Sequence, residues 1–208
     1  WAYGGEFLTE DKMKARINEP EGVAAITYWT ELYTKHKVVP EGSINFAITK
    51  DLVPLFINDK VALFPGTSAQ FGQLLKAGMP QEKWFTVVGP DGRNRGGGWA
   101  YGLPTGAAHT EEGRAYAKWL VAVDNQKKLM IRQPARASAS DVPPWNTPEY
   151  AAIFKAAKWS RLTPITPAWG EIATIVITEL QKILQGTKTP KQGADDMAAQ
   201  MDVAIKNQ

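Results

Sequence analysis

Between Val61 and Val88 the chain reads as strand, helix, strand, and that order restricts the possible fold more than any other feature. Val61-Ala62-Leu63-Phe64 is a short apolar run closed by Pro65-Gly66, the pattern of a buried strand. Phe71, Leu74 and Leu75 then mark a short helix that ends at Gly78, and Trp84 to Val88 is a second strand stopped by Gly89-Pro90-Asp91-Gly92. Two strands and a helix within about 30 residues form a βαβ crossover, in which the strands lie parallel and the helix packs on the sheet. The predicted class is therefore α/β.

The flanking segments extend that pattern. Asn18 sits three residues before Glu21, a capping pattern, and Ala25, Ile26, Trp29, Leu32 and Tyr33 follow at helical spacing, which predicts a helix over 19–36. A third extended piece, Trp99 to Leu103, follows Gly96-Gly97-Gly98. Thr110 then caps a helix whose apolar face is Tyr116, Trp119, Leu120 and Val123. Beyond about residue 130 the chain reads as mainly helical. Three helices there are expected to start at Thr147-Pro148, Thr166-Pro167 and Thr189-Pro190, with threonine as cap and proline in the first helical position, where no N–H is needed. Ile172, Ile175, Val176, Leu180, Ile183 and Leu184 form one inner face, and Ala194, Met197, Ala198, Met201 and Ile205 another.

Composition removes several function classes. With 24 basic and 21 acidic side chains the net charge is only +3, and the basic residues fall in scattered pairs such as Lys127-Lys128, not the dense stripe of a nucleic-acid face. There is no cysteine and only two histidines, His36 and His109, so a thiolate nucleophile or a Cys/His zinc site cannot be assembled. No cofactor or metal is expected. Apolar runs such as Val61 to Phe64 fall far short of the roughly 20 residues a bilayer span needs.

Catalytic motifs are mostly incomplete. Gly66-Thr67-Ser68-Ala69-Gln70 has only the first half of a nucleophile elbow, and Gly96-Gly97-Gly98 is not followed by the Lys and Ser or Thr of a phosphate loop. Glu6, Asp141 and Glu171 could supply paired carboxylates for glycoside chemistry, but their spacing places no two together. The eight tryptophans are more informative. Trp29 and Trp119 read as core. Trp99 after the glycines, Trp145 between Pro144 and Asn146, and Trp169 in the first turn of a helix either close the core edge or offer flat surfaces to a ring-shaped ligand.

Five segments, taken in order, resemble the bacterial extracellular solute-binding proteins of sugar-type ABC transporters, the family that includes maltose-binding protein. Gly4-Gly5-Glu6-Phe7-Leu8 is similar to its Gly-Gly-x-Φ segment, and Asn18 to Ala25 to the start of the helix that follows. Phe56 to Gly66 resembles its F-x-x-G-K-V-A-M-x-P-G stretch, with Asp59 where glycine is usual. Gly97-Gly98-Trp99-Ala100-Tyr101-Gly102-Leu103-Pro104 is similar to G-G-W-G-Φ-x-I-P, and Pro134-Ala135-Arg136-Ala137-Ser138 to P-x-R-x-S.

The resemblance implies a periplasmic binding protein-like (type II) fold, of which this chain is the C-terminal half. Residues 1–94 and 131–208 would form the C-terminal lobe, a central β-sheet flanked by helices with a helix-rich C-terminal third. Residues 95–130 would cross to an N-terminal lobe. The implied function is capture of a sugar or oligosaccharide in an interlobe cleft and delivery to ABC permease subunits, without catalysis, in the periplasm or on a cell-surface lipoprotein. Trp99 and Trp169 would stack on sugar faces, backbone near Gly97 and Gly98 would hydrogen-bond hydroxyls, Arg136 would donate as a planar fork, and Ser68 would lie near the ligand. Where the family often places Trp after Pro-Gly-x-x, this chain has Ala69, which removes one stacking platform. An unpaired strand edge at the crossing segment could be met by a strand-exchanged homodimer. The alternative readings are a carbohydrate-active enzyme with a tryptophan-lined cleft and an interaction module.

Overall fold

The computed structural model describes residues 1–88, 94–98, 100–129 and 133–208. Its elements in chain order are α1 (Pro20–Thr34), α2 (Val53–Ile57), α3 (Ser68–Lys76), β1 (Asn94–Arg95), α4 (Thr110–Leu120), α5 (Val123–Leu129), α6 (Pro148–Ala157), β2 (Ser160–Arg161), α7 (Trp169–Leu184) and α8 (Pro190–Lys206), with short 3-10 and π turns between them. The chain forms two compact units. One holds Trp1–Phe46, Pro90–Arg95 and Arg161–Gln208, the other Ala47–Gly89 and Gly96–Ser160.

The first unit is built on α1, α7 and α8. Residues Ala194, Met197, Ala198, Met201 and Ile205 of α8 are all buried, as their spacing predicts, against Ile172 and Ile183 of α7. Gly193 permits this approach, since a Cβ there would fall 2.5 Å from Ile183 Cδ1. Between the same helices Glu179 is fully buried and accepts hydrogen bonds from Lys182 (2.6 Å), Lys188 (2.5 Å) and Gln200 (3.2 Å). Burial alone would raise its pKa, but those bonds and the Lys188 charge outweigh it and hold the carboxyl at about 2.

Helix α1 forms where expected, and Ile26 of its expected apolar face is buried. It buries Gly22, Ile26 and Thr30, one residue per turn, and Thr30 returns its hydroxyl to the Ile26 carbonyl at 2.8 Å. Trp29, expected in the core, is 53% exposed. Gly22 sits tightly against the preceding segment: a Cβ there would meet the Ile17 carbonyl oxygen at 2.1 Å, so backbone packs against backbone. Nor does Asn18 cap α1. The cap position is Glu19, followed by Pro20, and the Asn18 amide instead donates to Asp195 of α8 at 3.1 Å.

The second unit gathers Val53, Leu74 and Trp84 with Phe56, Phe64 and Phe71 around them. Edge-to-face and tilted contacts continue from Trp84 through Phe71 and Tyr150 to Trp145. Trp145, open to a ligand reading from sequence, is thus core, at 3% exposure. Helix α3 begins at a complete capping box between Thr67 and Gln70 and ends before Gly78, whose φ is +70°.

The expected central sheet is not seen among the described residues. Among the described residues the one sheet is the two-stranded pair β1–β2, and neither 61–64 nor 84–88 forms a strand. Residues 84–88 still alternate: Trp84 is buried while Phe85 and Val87 point outward, and Leu63 is as exposed as Phe85. A strand requires a neighbouring backbone for its N–H and C=O groups, and no described segment supplies one here. The described part of Trp99 to Leu103 is likewise without strand pairing. Trp119, expected as core, stacks on Tyr116 at 5.9 Å on the outside of α4, which buries no residue at all. Its N-cap is His109, one residue before the expected Thr110.

Of the three Thr-Pro starts, Thr189-Pro190 forms a full capping box with Gln192. Thr147 occupies the cap position of α6 but spends its hydroxyl on the Pro144 carbonyl. Thr166-Pro167 forms a turn instead, and α7 starts at Trp169 with Ala168 as its N-cap.

Candidate functional site

In the first unit a row of aromatic rings ends at a charged pair. The N-terminal segment folds back on itself through an antiparallel bridge between Leu8 and Ala15, reinforced by Arg16 N–H donating to the Phe7 carbonyl at 2.9 Å. Ala15 N–H also donates to Asp202 of α8 at 2.7 Å, so the turn is anchored to the helices. This places the Phe7 ring edge-to-face on Trp169, the first residue of α7, with centroids 5.5 Å apart. Trp1 continues the row, edge-to-face with Phe7 at 5.8 Å.

The far end is polar. Glu6 accepts the Trp1 indole N–H at 3.0 Å with one oxygen and the Arg161 guanidinium at 2.6 Å with the other. Arg161, on β2, lies over the Trp1 ring at 5.4 Å from its centroid. Trp169, Phe7, Glu6 and Trp1 are half-buried and Arg161 is exposed. The result is an apolar, ring-surfaced strip bounded by hydrogen-bonding groups, a chemistry suited to a molecule with flat apolar faces and polar edges.

Of the site residues predicted from sequence, Trp169 belongs to this strip. Ser68, Gly97, Gly98 and Arg136 lie in the second unit, where each is described by its own contacts. Ser68 is buried at the first turn of α3 and its Oγ accepts the Gln133 N–H at 3.0 Å, which ties the loop carrying Arg136 to α3. The Arg136 Nε donates to the Val121 carbonyl at 2.9 Å, and its backbone N–H donates to the buried Gln126 at 3.2 Å. Gly97 and Gly98 are exposed in the irregular segment after β1, with open space where a Gly98 side chain would be. Trp99 lies outside the described residues.

The sequence offers Glu6 only as a possible paired carboxylate and carries no local signal for Trp1 or Arg161. The Gly-Gly-x-Φ motif did mark Phe7; Glu6 and Arg161 are 155 residues apart, and no local pattern could join them. As for paired carboxylates, Glu6 is engaged with Arg161 and Asp141 with Lys127. Among the described residues no cluster of His, Asp or Glu could hold a metal ion. No helix among them is long and apolar enough to cross a membrane. Two shallow surface clefts, at Thr9, Glu10 and Asp11 and at Thr187, Lys188, Gln192, Asp195 and Asp196, are lined by none of the predicted site residues.

Comparison with solved structures gives the same fold. The chain is similar to a solute-binding protein of an ABC transporter from Thermotoga lettingae bound with α-D-tagatose, at a TM-score of 0.83 and 22% identity over 98% of this chain and 54% of that one. A maltose-bound protein of T. maritima also matches at 0.83 and 22%, over 98% of this chain and 55% of the other. So does a substrate-binding protein from Listeria monocytogenes in complex with cycloalternan, at 0.78 and 22% over 99% and 54%. The chain thus spans about half the length of the solved proteins it matches. The family model described as bacterial extracellular solute-binding protein matches residues 1–127, more than half of the sequence, and the chain belongs to that family.

Proposed function

We propose that this chain serves as part of the substrate-binding component of an ABC importer, capturing a sugar or oligosaccharide without changing it. The observation that carries the reading is the half-buried Trp169 ring at the open start of α7, held edge-on by Phe7. An aromatic face kept in place by its neighbours meets the apolar face of a sugar ring at little entropic cost. Trp99, Gly97 and Gly98, the exposed terminal nitrogens of Arg136 and the Ser68 hydroxyl are the further contacts proposed, with ABC permease subunits as partner.

In this reading residues 95–130 are the segment that crosses to a second lobe, and the exposed Tyr116–Trp119 face of α4 supports it. Ligand would draw the lobes together and the closed form would be the one recognised at the membrane. The place of action is the periplasm or, where there is no outer membrane, the cell surface. Titrating the chain with D-glucose, maltose, D-tagatose and longer glucans, followed by tryptophan fluorescence and thermal shift, tests it. Saturable binding without turnover that Trp169→Ala weakens about tenfold or more supports the reading, on the scale of an aromatic contact. Hydrolysis of a probe sugar would replace it with an enzyme, and no response to any probe would remove the carbohydrate.

A further inference from the structure

Resting on the carbohydrate reading, we propose that Arg161 is the polar specificity residue of this site, donating to adjacent hydroxyls of a neutral saccharide, with Glu6 and Trp1 as its positioning residues. A guanidinium recognises paired oxygens because its N–H groups point outward in a fixed plane, but only if the long side chain is held still. Arg136 meets that condition by donating its Nε to the Val121 carbonyl, which takes one arm of its fork into the protein. Arg161 meets it differently. One Nη1 bond goes to Glu6 Oε1 and the plane rests over Trp1, while about half of the side chain stays exposed. Its Nε and Nη2 have no hydrogen-bond partner among the described residues.

Glu6 is fixed in turn, because its second oxygen holds the Trp1 indole N–H. Carboxylate, ring and guanidinium therefore position one another, and Phe7 joins them to Trp169. The charge balance points to the ligand class. Arg161 and Glu6 form an ion pair of no net charge, so the fork offers directed N–H groups with little long-range pull on an anion. A neutral polyhydroxy compound fits such a site better than a sugar acid or sugar phosphate.

The test compares Arg161→Lys, Glu6→Gln, the double variant and Trp169→Ala, each titrated with D-glucose, maltose, D-tagatose and D-glucuronate. Lysine keeps the charge but loses the planar fork. Arg161→Lys is expected to weaken binding of the neutral sugars about tenfold or more with an unchanged thermal midpoint, on the scale of a lost charge-assisted hydrogen bond. Glu6→Gln should weaken it less, and the double variant should be no weaker than Arg161→Lys alone, the non-additivity expected when one residue acts through the other. Parent-like binding by Arg161→Lys beside a loss in Trp169→Ala would overturn the proposal and leave the carbohydrate reading standing. A preference for D-glucuronate would also overturn it. Absence of any binding by the parent chain would remove both.

Discussion

Glu179 shows how one residue can be costly and necessary at once. A carboxylate with no exposed surface is stable only because Lys182, Lys188 and Gln200 satisfy it. Its folded pKa of about 2 lies below the unfolded value of 4.5, so folding binds the charged form more favourably. The stabilisation is therefore complete above pH 4.5 and is lost as the pH falls toward 2. Urea unfolding across that range should show a midpoint that falls with acidity, and Glu179→Ala, which leaves Lys182 without this partner and Lys188 with Asp196 alone, should cost about 1 to 3 kcal/mol at neutral pH. Asp59 offers a test of the opposite sign. It holds a φ of +57°, in the left-handed region, where the resembling motif has glycine. Replacing it by glycine should raise stability by up to about 1 kcal/mol and by valine should lower it, as read from denaturant midpoints, because a β-branched side chain crowds that conformation.

At the level of elements, helix starts separate motif from context. Thr189-Pro190 and Thr166-Pro167 are the same dipeptide, yet only Thr189 has a glutamine at the third helical position to complete a capping box. Thr166 makes a 3.4 Å contact with the Ala168 N–H in a turn that precedes α7. Thr189→Ala should then cost about 1 kcal/mol and Thr166→Ala a few tenths, measured by thermal or urea unfolding. Helix positions were legible because they rest on local spacing: the α8 stripe and the end of α3 at Gly78 stand where the residues place them. The rotation of α1 was not. Its apolar residues spread over more than one face, and which of them is covered depends on the distant segments that pack on α1, which helical periodicity does not include.

For the whole molecule, the expected sheet is the largest departure. Residues 84–88 keep a strand's alternation without a strand's hydrogen bonds, and α4 keeps an amphipathic pattern without a covered face. The chain spans about half the length of the solved structures it matches. One consequence concerns this chain by itself. Replacing Tyr116 and Trp119 together by serine should change its stability by no more than about 1 kcal/mol, since both rings are largely exposed. Leu74→Ala, at 1% exposure, should cost about 2 to 5 kcal/mol in the same unfolding experiment.

The sequence by itself determined the longer helices, the end of α3 at Gly78, the apolar stripes of α7 and α8, the family resemblance and the candidacy of Trp169. All of these depend on residues within a few turns of one another or on short motifs. Only the tertiary structure decided that 61–64 and 84–88 go without a ladder, that Trp145 is core while Trp29 and Trp119 are surface, and that Glu6 joins Trp1 to Arg161. Strand pairing, burial and ion pairing need partners that the chain brings from far along its length, and spacing in the sequence carries no record of which distant backbone or side chain will arrive.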